Sequence, residues 1–372
     1  MTVDGIINGG VFCPDFGDIT LQGVTADYVL VDFAIKDMGG TTVSTFSETY
    51  HPDAAGKIYI KGLSDAMEAY LGGVSLASIY NPDSMVKDIG GYADCVMVFH
   101  HGSTTQTATQ RFYQSRNRTQ LYPSSYKYFL NRFRERSVYT EQLITVSYIY
   151  RSQTLKCKVA YYNSSGESCL KTISLSNSGC TAGHIICHQY KPSYLAGQAN
   201  VGVANLIYLT MELYDGGSMI DYMKFTFDRT APDRIGILFK NAFGVPEHII
   251  FSGRDKHTAE LDGSFAWVGR KYRKMHTDLT TMHTICTGWV DEDTHDSIKD
   301  AICSDEVYLV NNFDLGDQVT VTDIDLDYEK PRTEPLRAFI TYRVSDRVQE
   351  SFSRVRQRAE RVFDDTFDHT YN

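Results

Sequence analysis

The densest group of metal-ligating side chains is Cys180-Thr-Ala-Gly-His184-Ile-Ile-Cys187-His188. Zinc takes thiolate sulfur and imidazole nitrogen at close spacings of this kind. A strand through Ile185, Ile186 and Cys187 would place His184 and His188 on one face and Cys187 on the other, because strand side chains alternate with a period of two. Four ligands on such a segment need a bulge or a turn, and no second Cys/His pair follows at finger spacing. Cys180, His184, Cys187 and His188 are therefore weak metal candidates set against ordinary strand residues, and no cofactor is predicted. His276 and His283 bracket a Thr-rich stretch, but a separation of seven fixes no common geometry. His100-His101 reads as a strand-end or loop pair.

Asp323, Asp325 and Asp327 alternate with Ile324, Leu326 and Tyr328. On a strand these carboxylates share one face, a solvated acidic edge that discourages edge-to-edge pairing. Calcium needs oxygens converging from a loop, usually around a glycine turn. Nucleophile and phosphate-loop motifs are absent: there is no Gly-x-Ser-x-Gly elbow, no Gly-x4-Gly-Lys-Ser/Thr loop and no His-Glu-x-x-His. A glycosidase-type carboxylate pair need only meet in space, so 46 acidic residues are uninformative about one. No catalytic residue is predicted, and the chain reads as a non-enzyme.

These residues must be held by strands. Tyr28–Ile35, Thr42–Ser47, Lys57–Lys61 and Cys95–His100 are β-rich runs separated by Gly-Gly and Pro-Asp-Ala-Ala-Gly turns, with a short helix at Leu63–Leu71. Thr154–Tyr162 and Leu170–Leu175 flank Asn-Ser-Ser-Gly as a hairpin. Asn205–Leu213 and Met219–Phe227 do the same around Asp215-Gly216-Gly217. Ile235–Phe239, His248–Phe251, Val307–Val310, Val319–Tyr328 and Leu336–Tyr342 are later strands, interrupted by one helix at Asp293–Ala301. The pattern predicts a mainly β chain of linked β-sandwich domains with a few short helices. Its divisions are an N-terminal arm (1–23), a β-sandwich (24–130), a second β-sandwich (131–229), a β-rich unit with one helix (230–344) and a C-terminal extension (345–372). In that extension Val348, Phe352, Val355, Ala359, Val362 and Phe367 form a helical apolar stripe beside Arg347, Arg354, Arg356, Arg358 and Arg361.

Composition narrows the partners. The 372 residues carry 25 Tyr and 19 Phe but only 2 Trp, and Tyr at this density suits half-buried strands and interfaces. A net charge of −10 argues against a nucleic-acid coat, which needs a basic face. No run approaches the 18 apolar residues of a membrane helix, and no basic-then-apolar start marks a signal peptide, so neither membrane insertion nor export is predicted. The eight Cys are scattered and read as reduced thiols of a protein made in a cytoplasm.

One order of features is more specific. Ile237-Leu-Phe-Lys-Asn241-Ala-Phe243-Gly244-Val-Pro-Glu247 is followed by Phe251-Ser-Gly253, Arg270-Lys-Tyr272, Thr284-Ile-Cys-Thr-Gly288, an acidic helix, Cys303-Ser-Asp-Glu-Val-Tyr-Leu-Val310, Val319–Asp323 and Leu336–Arg343. Glu48-Thr-Tyr-His-Pro-Asp-Ala-Ala-Gly-Lys-Ile58 and the helix after it add to the order. The series resembles minor tail or baseplate (distal-tail-like) structural proteins of tailed phages and prophages of Bacteroidetes-type bacteria, over most of residues 24–344. The resemblance implies a virion subunit of a bacteriophage tail, at the tail tip, baseplate or tail–neck adaptor. It further implies a homo-oligomeric ring contacting neighbouring tail proteins and made in the bacterial host cytoplasm. Its motifs are structural: within them Asn241 and Gly244 supply a turn and Phe243 a buried anchor. The alternatives left open are a carbohydrate-binding or host-adhesion module built of the same sandwiches, and a hydrolase with spatially assembled carboxylates.

Overall fold

The computed structural model describes residues 1–72, 74–229, 234–251, 253, 255–268, 271–288, 292–326 and 336–344; the predicted helix at 345–372 lies outside them. The chain is mainly β, with sandwich-like packing of its sheets and few helices. Among the described residues no helix is long and apolar enough to cross a membrane.

Alternation decides the first sandwich. In the strand Val29–Lys36, Val29, Val31, Phe33 and Ile35 are buried while the residues between them are half-buried. That strand lies between Tyr92–His101 and the edge strand Thr42–Tyr50 in a five-stranded sheet completed by Thr104–Tyr113 and Val11–Phe12. A three-stranded sheet of Thr2–Asp4, Ile19–Gln22 and Ile58–Ile60 covers it, together with the helix Leu63–Gly72. Ile19, Leu21, Ile58, Ile60, Leu63 and Met67 meet Phe33, Met97 and Phe99 in one core.

The first 23 residues therefore do not form a free arm. Val11, Ile19 and Leu21 are fully buried in the first sandwich's core, and Phe12 is fully buried beside Leu130, Ile185 and Val245 of the later units. Glycines at 5, 9, 10 and 17 break this segment into strands of two to four residues, too short to show a period.

The second sandwich stacks a five-stranded sheet on a three-stranded one. The larger sheet runs Glu135–Val138, Ser218–Phe227, Leu206–Asp215, Thr154–Tyr162, Ser168–Leu175. Both predicted hairpins lie in it, and Gly216 and Gly217 take φ of 55° and 90° at the tight turn between Asp215 and Ser218, a conformation open to glycine at little cost. The smaller sheet places Ile185–Tyr190 between Ile144–Ile149 and Val86–Gly90. Val86–Gly90 thus leaves the first third of the chain to complete the second sandwich, so the two are not separate beads.

The last unit is one seven-stranded sheet with the helix Glu292–Ile302 on its face. Its order is Pro246–Phe251, Ile235–Lys240, Val307–Asn311, Asp314–Leu326, Ala338–Val344, Lys271–Cys286, Lys256–Val268. Ile298 and Ala301 of the helix join Ile237, Phe239, Ile249, Ile285, Val307 and Ile340 in its core.

Candidate functional site

The four sulfur and nitrogen candidates are separated by the strand that carries them. Tyr148 donates to Asn177 Oδ1 at 2.9 Å, so His188 Nε2–H donates to Tyr148 Oη at 3.1 Å and Tyr190 donates to His188 Nδ1 at 3.0 Å. The imidazole is stacked between the same two rings, and burial pushes its pKa down to about 3. His188 is a neutral core residue with both nitrogens used. His184 pairs instead with Asp88, Nδ1 to Oδ2 at 2.7 Å, and reaches Tyr92 Oη with Nε2 at 3.3 Å. Cys187 faces the opposite side, fully buried, with its thiol raised to about 12 by burial. Cys180 is half-buried, and burial raises its thiol too. A thiol held protonated is a poor nucleophile and a poor ligand. His100 bonds Asp32 at 2.8 Å, and His101 Nε2 accepts from the backbone of Thr25 and Ala26. Asp323 and Asp325 are exposed, with Ile324 and Leu326 half-buried on the other face.

Convergent donors lie elsewhere. Among the described residues Asp255, His257 and His283 bring three ligand atoms within 4.8 Å of one another. Asp255 and His257 carry no sequence signal. They stand at the start of a strand, and only the hairpin register, His257 opposite His283, brings them together. His276 pairs with Ser264 farther along the same hairpin.

The residues of the Asn241–Glu247 motif sit where the three units meet. Ile235–Lys240 turns back into Pro246–Phe251 through a loop that Asn241 organises. Its Oδ1 accepts from Phe243 N at 2.9 Å, and its Nδ2 donates to Leu130 O at 2.9 Å and to Glu247 Oε2 at 3.1 Å. Gly244 takes φ +71°, and a Cβ there would overlap the Gln114 amide. Asn241 and Gly244 supply the turn as predicted. Phe243 is only half-buried, while its apolar neighbours Ala242 and Val245 are fully buried. A loop at a junction exposes its large side chain to the seam, where Phe243 packs edge-on against Phe12 at 5.5 Å.

Glu247 is the hub. It is fully buried and accepts from Asn131 Nδ2, Asn241 Nδ2, the Arg132 amide and Arg136 Nη1. Burial pushes its carboxyl upward, against the pull of the Arg136 charge and the amide donors. Arg136 continues to His248 O and Thr145 O, with its guanidinium 4.8 Å from the Phe225 ring centre. Lys240 Nζ reaches Gly72 O at 3.0 Å, and Glu306 Oε2 caps Leu76 N at 2.6 Å. Polar side chains from all three units thus bond one another at the seam. A polar cleft of about 720 Å³ opens there, lined by Asp65, Glu68, Arg116, Lys240 and Glu306. Beside it lies a more apolar cavity of about 650 Å³, lined by Met38, Tyr70, Tyr92, Ile185 and Phe243. Gln114 borders both. The arrangement ties the three β units together through hydrogen bonds.

One element leaves this body. Among the described residues Lys256–Val268 pairs only with Lys271–Cys286, and that strand meets Ala338–Val344 only over His283–Cys286. From Thr258↔Met282 to Val268↔Lys271 the two strands pair only with each other among the described residues. At about 3.3 Å per residue this ribbon is roughly 35 Å long.

No protein-family model matches the chain, and no curated protein matches it. Among solved structures, the chain is similar to the calcium binding domain CBD12 of CALX1.1, at 8% identity over 57% of this chain and 91% of that one, with a TM-score of 0.16. It is also similar to the N-terminal four Ig domains of Dscam1 isoform 4.44, at 11% identity over 77% and 71%, with a TM-score of 0.16. Scores of this size carry no argument about what the chain does.

Proposed function

We propose that this chain is a structural subunit that assembles with copies of itself, and that its place is the tail of a bacteriophage virion. The observation that carries assembly is the two-stranded ribbon between Lys256 and Cys286. An isolated two-stranded ribbon is marginal in water and gains stability when a further strand or surface covers it. Open edges repeat the theme. Among the described residues Thr42–Tyr50 and Ser168–Leu175 each pair on one side only, and near the second edge Leu170 is 55% and Tyr162 47% exposed. Such strands are ready templates for a neighbour. The polar seam ties the three units to one another, which supports a subunit of defined shape. The phage tail assignment rests on the resemblance of the Asn241–Glu247 series and its surroundings to minor tail and baseplate proteins.

Light scattering after size exclusion, with negative-stain images of the same fractions, tests the reading. A discrete closed ring is the expected result. A chain that stays monomeric at high concentration and binds a glycan through the cavity of Tyr70, Tyr92 and Phe243 would instead establish the adhesion reading.

A further inference from the structure

The root of the ribbon holds a second, independent feature. Asp255 precedes the first ribbon strand, His257 lies within it, and His283 faces His257 across the hairpin. Asp255 Oδ2 is 3.0 Å from His257 Nε2 and 3.3 Å from His283 Nδ1. Two imidazole nitrogens therefore address one carboxylate oxygen. The other oxygen, Asp255 Oδ1, is buried and has no partner among the described residues. A buried carboxylate oxygen without a donor is costly and rarely left so. A cation beside it removes the cost.

Geometry selects the cation. Ligand bonds of about 2.0–2.1 Å arranged tetrahedrally place neighbouring donors about 3.3 Å apart, close to the two separations observed. Two imidazoles and one carboxylate suit zinc and its neighbours, whereas calcium and magnesium demand shells of oxygen. His283 is held flat by Tyr342, the rings stacked at 5.0 Å and 11°. His257 crosses it edge-on at 4.4 Å, with its side chain 59% exposed. The exposed side leaves a fourth position to water.

We propose that Asp255, His257 and His283 bind one divalent transition-metal ion of the zinc class, which pins the root of the ribbon to the seven-stranded sheet. Binding fixes both strands where they leave the sheet and sets the direction in which the ribbon points. The site does not depend on the assembly reading, since its ligands all come from one chain.

The test is calorimetric titration of the chelator-treated, full-length chain with zinc chloride, alongside His257→Gln and Asp255→Asn. One equivalent is expected for the native chain, with at least about tenfold weaker binding in each variant. His257 is exposed, so its variant keeps the fold; should Asp255→Asn unfold, His257→Gln decides alone. Hydrogen exchange supplies a second readout: zinc should slow the amides of residues 256–258 and 282–284 in the native chain and not in His257→Gln. No zinc binding by the native chain, or unchanged affinity and stoichiometry in His257→Gln, overturns the proposal. The latter result would assign the ion to thiols such as the exposed Cys303.

Discussion

Arg136 Nη1 lies 2.9 Å from Glu247 Oε1, and the two side chains are 6% and 1% exposed. The two charges come from different units of the fold. The pair has further partners, with Asn131 and Asn241 on the second carboxylate oxygen and two backbone carbonyls on the guanidinium. Removing one member leaves the other charge buried and alone. Arg136→Met or Glu247→Gln should each cost about 3–5 kcal/mol in urea denaturation. Combining Arg136→Met with Glu247→Leu should recover only part of the loss, because the Asn131 and Asn241 amides would then lack an acceptor. An unchanged midpoint for Glu247→Gln would show that the pair does not hold the units together.

Acid should weaken the fold through two buried imidazoles. His188 and His248 are both lowered by burial from 6.5 to about 3, His248 also by the nearby Arg136 charge. Their folded pKa lies below the unfolded one, so the unfolded chain binds the protons first. The contribution is complete above pH 6.5 and is lost as pH falls toward 3, at about 1.4 kcal/mol per pH unit for each ring. Stability measured between pH 4 and 6 should fall with this slope, and His188→Gln should flatten it. Parallel curves for the native chain and His188→Gln would contradict the assignment of a neutral, buried His188.

The sequence carried the mainly β class and both hairpins of the second sandwich because alternation and turn residues are local. Val29, Val31, Phe33 and Ile35 announce their strand by themselves. Asn241 and Gly244 announce their turn for the same reason. Phe243 illustrates the limit: how deeply it is buried depends on Phe12, more than two hundred residues away. Val86–Gly90 shows the same limit, since its Lys and Asp interrupt the apolar pattern and only Ile185–Tyr190 supplies its partner. The Asp255, His257 and His283 group was invisible because two of its members touch the third through hairpin register, and a one-residue slip would separate them. The Cys180–His188 run was visible but uninformative: closeness in sequence put Cys187 and His188 on opposite faces.

Gly244 tests the turn directly. With φ at +71°, an alanine there adopts a left-handed conformation at a cost of about 1–2 kcal/mol. The added methyl also displaces the Gln114 amide, which can swing aside. Gly244→Ala should therefore lower the melting temperature, and adding Gln114→Ala should restore little of it. Full restoration by the second change would mean that the contact, not the backbone, sets the cost.

The ribbon makes the most demanding prediction. From Thr258 to Val268 its first strand pairs with Lys271–Met282 alone among the described residues, so removing its outer part breaks no ladder of the seven-stranded sheet beyond the ribbon itself. Replacing residues 259–281 by a two-residue Asn-Gly turn should leave Thr258 and Met282 in register. The shortened chain should fold, with a melting temperature close to that of the native one. If the ribbon is the arm that neighbours cover, self-association should disappear in the same variant, giving a monomer by light scattering at concentrations where the native chain assembles. Loss of the fold would place the ribbon in the core of the subunit. Assembly at undiminished affinity would move the contacts to the open edges at Thr42–Tyr50 and Ser168–Leu175. A charge placed on one of those edges, as in Leu170→Lys, should then break assembly where the deletion did not, because a lysine on a strand edge opposes pairing with a neighbour.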